Sequence, residues 1–258
     1  MDKLEAVIFD FDGTLVPTIT RQYDWFNYWA QKHDKQLIYS EKNELLETPA
    51  KFMDFYNHFM HLGGPQKVYD ELELPCDMND KKHPVWEAYT NFKLENPLQL
   101  YEGMKQVLNE LHSKGIKLAI NTTNTFESIE KELDKENVKH YFNPIVTEEY
   151  LAKFHGAGNP DAIKKPSKIS LSLTLNELNV NGNNVLHIGD TLNDLISSKK
   201  VMRQNPTRFE DLTVIGVSWG FEGREKLEEG YKNDEETTYF DFIIDKPQEL
   251  LPIINSFL

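Results

Sequence analysis

Cysteine is almost absent. Cys76 is the only one in 258 residues, which excludes an intramolecular disulfide and any cysteine-built metal centre. Long apolar runs are missing too: no stretch approaches the roughly 18 apolar residues of a membrane-spanning helix, so no membrane association is expected. Positive charge is scarce, with 28 Lys and Arg against 42 Asp and Glu, a net charge of −14. That balance speaks against a basic surface for nucleic acid. The opening residues Met1-Asp2-Lys3-Leu4-Glu5 are charged and lack the apolar stretch of a signal peptide. Together these features lead us to expect a cytoplasmic protein. There is no internal repeat and no low-complexity tract. What the chain does have is material for a core: 39% hydrophobic residues, with 15 Phe, 11 Tyr and 4 Trp. That rules out global disorder and suits one large domain, or a core domain with a smaller one inserted.

Short apolar runs recur along the chain. They are Ala6 to Phe9, Ile116 to Ile120, Ile145-Val146, Val185 to Ile188, Val214 to Val217 and Phe242 to Ile244. Each is short and rich in β-branched residues, as strands buried on both faces are. Helical patterns over 103–113, 126–136, 167–178, 192–200 and 247–256 lie between or after them. Alternating strands and helices predict an α/β fold with a Rossmann-like, doubly wound parallel sheet. The segment 18–96 breaks that rhythm. It carries Trp25, Phe26 and Trp29, then Phe52, Phe55, Tyr56 and Phe59, then Val85, Trp86, Tyr89 and Phe92, all at helical spacing. This pattern predicts an all-helical insert over 18–96 in a core built from 1–17 and 97–258, with Pro17 and Pro97 near the junctions.

Four places carry chemistry. The first strand runs into Asp10-Phe11-Asp12-Gly13-Thr14, two carboxylates at the edge where open α/β sheets bind ligands. The second strand runs into Asn121-Thr122-Thr123-Asn124, whose hydroxyls and amides are donors suited to phosphate oxygens. Lys165 precedes Pro166, which favours an extended backbone just before a helix. A lysine there is a point charge for an anion, and Lys153, Lys164 and Lys168 are nearby alternatives that do not precede proline. The fourth is Gly189-Asp190-Thr191-Leu192-Asn193-Asp194, again carboxylates after a buried strand. So many carboxylates at one edge require a cation, and hard oxygen donors without His or Cys suit Mg²⁺. His187 alternates within its strand and is expected to be a satisfied core histidine.

The order Asp-x-Asp-Gly-Thr, apolar strand-Thr, Lys-Pro, Gly-Asp-x-x-x-Asp resembles the haloacid dehalogenase superfamily of hydrolases. The resemblance covers about 1–17 and 97–258, including Ile215 to Gly220, and the ending from Phe240 to Leu251 resembles the phosphoglycolate phosphatase-like branch. In that branch a helical cap occupies the place of 18–96. The resemblance implies that Asp10 is the nucleophile, forming an aspartyl-phosphate, and that Asp12 is the general acid and base. It implies that Thr122 holds phosphoryl oxygens with backbone amides of Thr123 and Asp12, and that Lys165 neutralises Asp10 and the phosphoryl group. It implies an Mg²⁺ site drawing on Asp10, Asp12 and Asp190, with Asp194 completing it through water or by orienting Lys165. A carboxylate at position 12 points to phosphate esters rather than halides. The expected activity is a Mg²⁺-dependent phosphatase acting on a small phosphorylated metabolite, as a monomer or dimer. A sugar phosphomutase, a 5′-nucleotidase, a pyrophosphatase and a non-catalytic phosphate-binding regulator stand as alternatives. Arg21, Lys51, His58, His61 and Lys67, around the Gly63-Gly64 break, are candidate substrate selectors, with Arg21 the first choice for substrate binding. Asn121 and the polar stretch 148–164 depart from the family's pattern.

Overall fold

The computed structural model describes residues 3–155, 162–180, 184–204, 212–233 and 236–257. Contacts divide the chain into two units, Met1–Pro17 with Gln99–Leu258, and Thr18–Leu98.

The first unit is built on a six-stranded parallel sheet. Its strands are β1 (Ala6–Phe9), β2 (Lys117–Asn121), β3 (Phe142–Val146), β4 (Val185–Gly189), β5 (Thr213–Val217) and β6 (Phe242–Ile244). Their spatial order is β6-β5-β4-β1-β2-β3. β1 is paired on both sides, Ile8 opposite Ala119 of β2 and His187 of β4. From β1 the chain winds outward through β2 and β3, then returns to β4 and winds the other way. The switch therefore falls between β1 and β4, the point where the carboxyl ends of open α/β sheets form a crevice. Every residue of β1 and β4 is buried, which explains why β1 runs apolar throughout and β4 does so apart from His187.

Helices close both faces of this sheet. Ala6 and Ile8 pack with Leu171, Leu175 and Val201, residues of the helices Lys168–Glu177 and Leu192–Gln204. The helix Met104–Ser113 buries Met104, Val107, Leu108 and Leu111. Two helices, Glu148–His155 and Gly223–Glu229, and a small hairpin pairing Tyr231 with Thr238 add to the elements expected from the sequence pattern. The stretch 156–161, part of the polar segment expected to depart from pattern, lies outside the described residues.

The second unit contains α1 (Thr18–Lys32), α2 (Pro49–Glu71) and α3 (Pro84–Glu95). It is not all-helical as expected: Ile38-Tyr39 and Glu44-Leu45 form a two-stranded antiparallel hairpin. Asn43, at φ 47°, turns that hairpin, a left-handed position that asparagine tolerates. The aromatic sets form the unit's own core. Trp25 stacks on Trp29 with ring centroids 5.3 Å apart, and its indole donates to the Tyr69 hydroxyl at 2.7 Å. α2 is kinked at Gly63 and Gly64, the latter at φ 70°, and Pro65 follows. Among the described residues no helix is long and apolar enough to cross a membrane.

Candidate active site

The buried β1 ends at Phe9, and the next residue is still tied to the sheet: the Asp10 amide donates to the Ile188 carbonyl at 2.8 Å. The chain then closes a tight loop, Leu15 and Val16 donating to Phe11 and Gly13 donating to Val16. Gly13 sits at φ 78°, and a Cβ there would run into the Asp190 carboxylate. Only glycine meets both conditions. The loop leaves Asp10 buried and Asp12 half-buried, side by side over the switch point.

β4 delivers the second set. Asp190 follows Gly189 and is 1% exposed. Its carboxylate accepts from the Phe221 amide at 2.7 Å and from the Thr14 hydroxyl at 3.4 Å. A Cβ on Gly220 would also strike Asp190, so the loop after β5 needs glycine at this close approach. Asp194 lies in the first turn of the following helix, where its carboxylate accepts from the Thr191 hydroxyl at 2.8 Å and from the Lys165 ammonium at 2.8 Å.

Lys165 joins the two sets. Its Nζ donates to Asp10 Oδ1 at 2.5 Å, to Asp194 Oδ1 at 2.8 Å and to the Asn121 carbonyl at 2.9 Å. Three acceptors use all three protons of the ammonium. Lys165 is therefore the lysine within this cluster, and the alternatives Lys164 and Lys168 line a cleft outside it. Burial opposes the charge on Lys165, yet Asp10 and Asp194 hold its pKa above the ordinary lysine value. Burial would raise Asp194, but Lys165 above all, with His187 and Thr191, holds it below the usual carboxylate range. Asp10 goes the other way: burial, with Asp194 and Asp12 close by, pushes it up against the pull of Lys165. Asp190 is pushed well up by burial and by the neighbouring Asp10 and Asp194.

Asp10 and Asp190 are thus buried carboxylates whose charge one ammonium does not balance. That is a setting for a hard divalent cation, which pairs with desolvated anionic oxygens. Among the described residues no three Asp, Glu, His or Cys side chains converge as a metal-holding group. Asp194 is turned to Lys165 and Thr191, and Asp12 to Asn124. The donor set that fits is two carboxylates, Asp10 and Asp190, with backbone oxygen and water, which suits Mg²⁺ because that ion keeps several waters.

β2 supplies the remaining groups. Thr122 is buried, its amide donates to Val146, and its Oγ1 accepts from the Asn124 amide at 3.1 Å. Thr123 is exposed. The Asn124 side-chain amide donates to Asp12 Oδ2 at 3.0 Å and Oδ1 at 3.3 Å. The sequence offers Asn124 only as one of the donors suited to phosphate; its contact with Asp12, 112 positions away, is not legible there. The polar Asn121 within a buried strand was the one visible signal of a second unassigned residue. Its side chain donates to Thr174 Oγ1 at 2.8 Å, and its carbonyl holds Lys165. His187 is fully buried as expected but is not fully satisfied: Nδ1 lies 2.6 Å from Ser198 Oγ, while Nε2 has no hydrogen-bond partner among the described residues and lies 3.8 Å from Asp194.

The candidate selectors belong to the helical unit. Arg21 is buried on α1, and Lys51 and His58 line a cleft of about 330 Å³ beside the hairpin. His61 is exposed, and Lys67 pairs with Glu71 at 2.5 Å.

The family model described as haloacid dehalogenase-like hydrolase matches residues 7–203. A relative named pyrophosphatase PpaX, from Bacillus mycoides, is 23% identical over 98% of both chains. A solved structure from Thermotoga maritima, proposed to be a β-phosphoglucomutase, is 20% identical, has a TM-score of 0.66, and covers 98% of this chain and 100% of that one. CbbY from Rhodobacter sphaeroides, solved with xylulose-(1,5)bisphosphate, is 20% identical with a TM-score of 0.59 and covers 96% of each chain. These structural likenesses bear on the fold.

Proposed function

The chain belongs to the haloacid dehalogenase-like hydrolases, and from that premise we propose that it hydrolyses a small phosphate monoester through a phosphorylated Asp10. The observation that carries this reading is the single buried cluster in which Lys165 bridges Asp10 and Asp194, with Asp190 and Asp12 adjoining, at the sheet's switch point.

In this reading an Asp10 carboxylate oxygen attacks phosphorus, and the bond from phosphorus to the leaving oxygen breaks. Asp12 gives that oxygen a proton, then takes one from the water that attacks the phosphorylated Asp10, returning Asp10 to a carboxylate. One hard displacement becomes two easier ones. Lys165 neutralises Asp10 and the transferring group and is itself fixed by Asp194 and the Asn121 carbonyl. Thr122 contributes its hydroxyl to phosphoryl oxygens. Mg²⁺, held by Asp10, Asp190 and the Asp12 carbonyl, would supply positive charge to the phosphoryl oxygens. Selection of the leaving group is assigned to the helical unit, with Arg21 the first residue to test.

A second reading, hydrolysis of inorganic pyrophosphate, is favoured by the PpaX relatives, which match along 98% of the chain. One experiment tests both. Phosphate release from a panel of monoesters and from pyrophosphate is followed with Mg²⁺ and with chelator, beside Asp10→Asn. Mg²⁺-dependent release that the variant loses is expected. Release that survives Asp10→Asn would remove Asp10 as nucleophile, and a strong preference for pyrophosphate would replace the monoester reading.

A further inference from the structure

On the outer side of the segment that carries Lys165 lies a cleft of about 650 Å³. Lys164, Lys168, Lys200 and Arg203 line it, with Pro166 and Ser167. No carboxylate lines it among the described residues. Four cations around one concavity are unexpected in a chain with net charge −14. Charges of one sign among the cleft's described lining residues concentrate the field there, which favours an anion. The cleft's volume falls within the range of small-molecule sites.

The placement of the charges also matters. Lys168 is the first residue of the helix Lys168–Glu177, whose first turn has no acidic residue. Helix starts favour negative charge, so lysine there is opposed by the helix itself. Lys200 and Arg203, near the end of the helix Leu192–Gln204, face the same space. Arg203 also pairs with Glu236. Lys200 Nζ donates to the carbonyl of Pro166, the residue after Lys165, at 3.0 Å.

We propose that this cleft is a binding site for a linear polyphosphate, free or as an ester, separate from the cluster around Asp10. Three or more linked phosphoryl groups supply several negative charges along an extended chain, matching cations that come from two helices and the segment before one of them. A single phosphate would satisfy fewer of them.

The test is calorimetric titration of the full chain with inorganic tripolyphosphate in the presence of chelator. The proteins compared are the wild type, the double variant Lys168→Glu with Lys200→Glu, and Lys165→Met. Wild type and Lys165→Met are expected to bind alike, with affinity falling steeply between low and physiological salt. The double glutamate variant is expected to lose at least about tenfold in affinity, one unit of log K for about 1.4 kcal/mol. A neutral version, Lys168→Gln with Lys200→Gln, keeps the test valid if the glutamates unfold the chain, and should show an intermediate loss. Unchanged binding in the double variants overturns the proposal, as does loss of binding in Lys165→Met alone, which would assign the anion to the catalytic cluster. Binding of an acidic peptide in place of tripolyphosphate would also overturn it.

Discussion

The Asn124 side-chain amide grips both carboxylate oxygens of Asp12, at 3.0 and 3.3 Å. Asp12 sits on a tight loop after β1 and Asn124 on the turn after β2, so the two motifs are latched across the switch point. An amide can only donate to a carboxylate there, which holds Asp12 in one orientation. Asn124→Ala is therefore expected to lower kcat about tenfold while moving KM little, a fraction of the 10²- to 10⁴-fold that general acid–base catalysis is worth. Asn124→Asp should be worse, since it sets two carboxylates against each other. Steady-state kinetics on the best substrate decide it, and an unchanged kcat in both variants removes Asn124 as a positioning residue.

Lys165 offers a sharper test of how charge is placed. Its three protons go to three fixed acceptors, two of them anions. Lys165→Met keeps length and removes charge, leaving Asp10 and Asp194 buried without their cation. We expect kcat to fall by at least about 100-fold, the scale of losing one preorganised electrostatic contact. Lys165→Arg should not rescue it, because a planar fork cannot direct three donors to the same points. Activity within a few-fold of wild type in Lys165→Arg would show that only net charge matters.

Much of this arrangement is legible in the sequence. β1 and β4 read as strands because both faces are buried, which leaves β-branched runs unbroken, and the carboxylates stand out at their ends. The hairpin at Ile38–Tyr39 escaped because two-residue strands carry no period. The contacts of Asn124 and His187 are illegible in the sequence for another reason, although His187 reads correctly as a buried strand residue. Their meaning lies in partners brought close by the fold, Asp12 at 112 positions and Ser198 at 11 positions on a neighbouring helix. Lys165 is separable from Lys164 and Lys168 in the sequence only through Pro166; in the structure its ammonium lies against Asp10 and Asp194, while those two neighbours line the outer cleft.

The raised carboxylates predict how Mg²⁺ acts on stability. Asp10 and Asp190 hold protons more tightly folded than unfolded, chiefly through burial. Above the ordinary carboxylate value the folded state holds more protons than the unfolded state, so without metal stability falls as pH rises and these groups ionise. A divalent cation pairs with the ionised form and offsets that cost. Mg²⁺ should therefore raise Tm at pH 7.5 and much less at pH 5, where protons compete. Asp190→Asn should shrink the shift at pH 7.5. Equal shifts at both pH values would place the ion away from these carboxylates.

His187 carries the opposite pH dependence. Burial drives its pKa down from 6.5 to about 4, with Asp194 and Lys165 pulling in opposite directions. Unfolded, the ring regains its ordinary value, so between these limits the unfolded state binds more protons. Its contribution is fully present above pH 6.5 and is lost as pH falls toward 4, amounting to about 3 kcal/mol at the lower end. Asp10 and Asp190 gain stability over part of the same range, so the wild-type curve alone mixes the two. The measurement is denaturant unfolding of wild type and of His187→Leu with Ser198→Ala, from pH 4 to 7. Removing both partners of the 2.6 Å contact avoids stranding a buried hydroxyl. The difference in stability between the two proteins should shift by about 3 kcal/mol in the double variant's favour across the fall in pH. A difference that stays flat would mean that the folded ring takes up its proton near the ordinary histidine value, despite its burial beside Lys165.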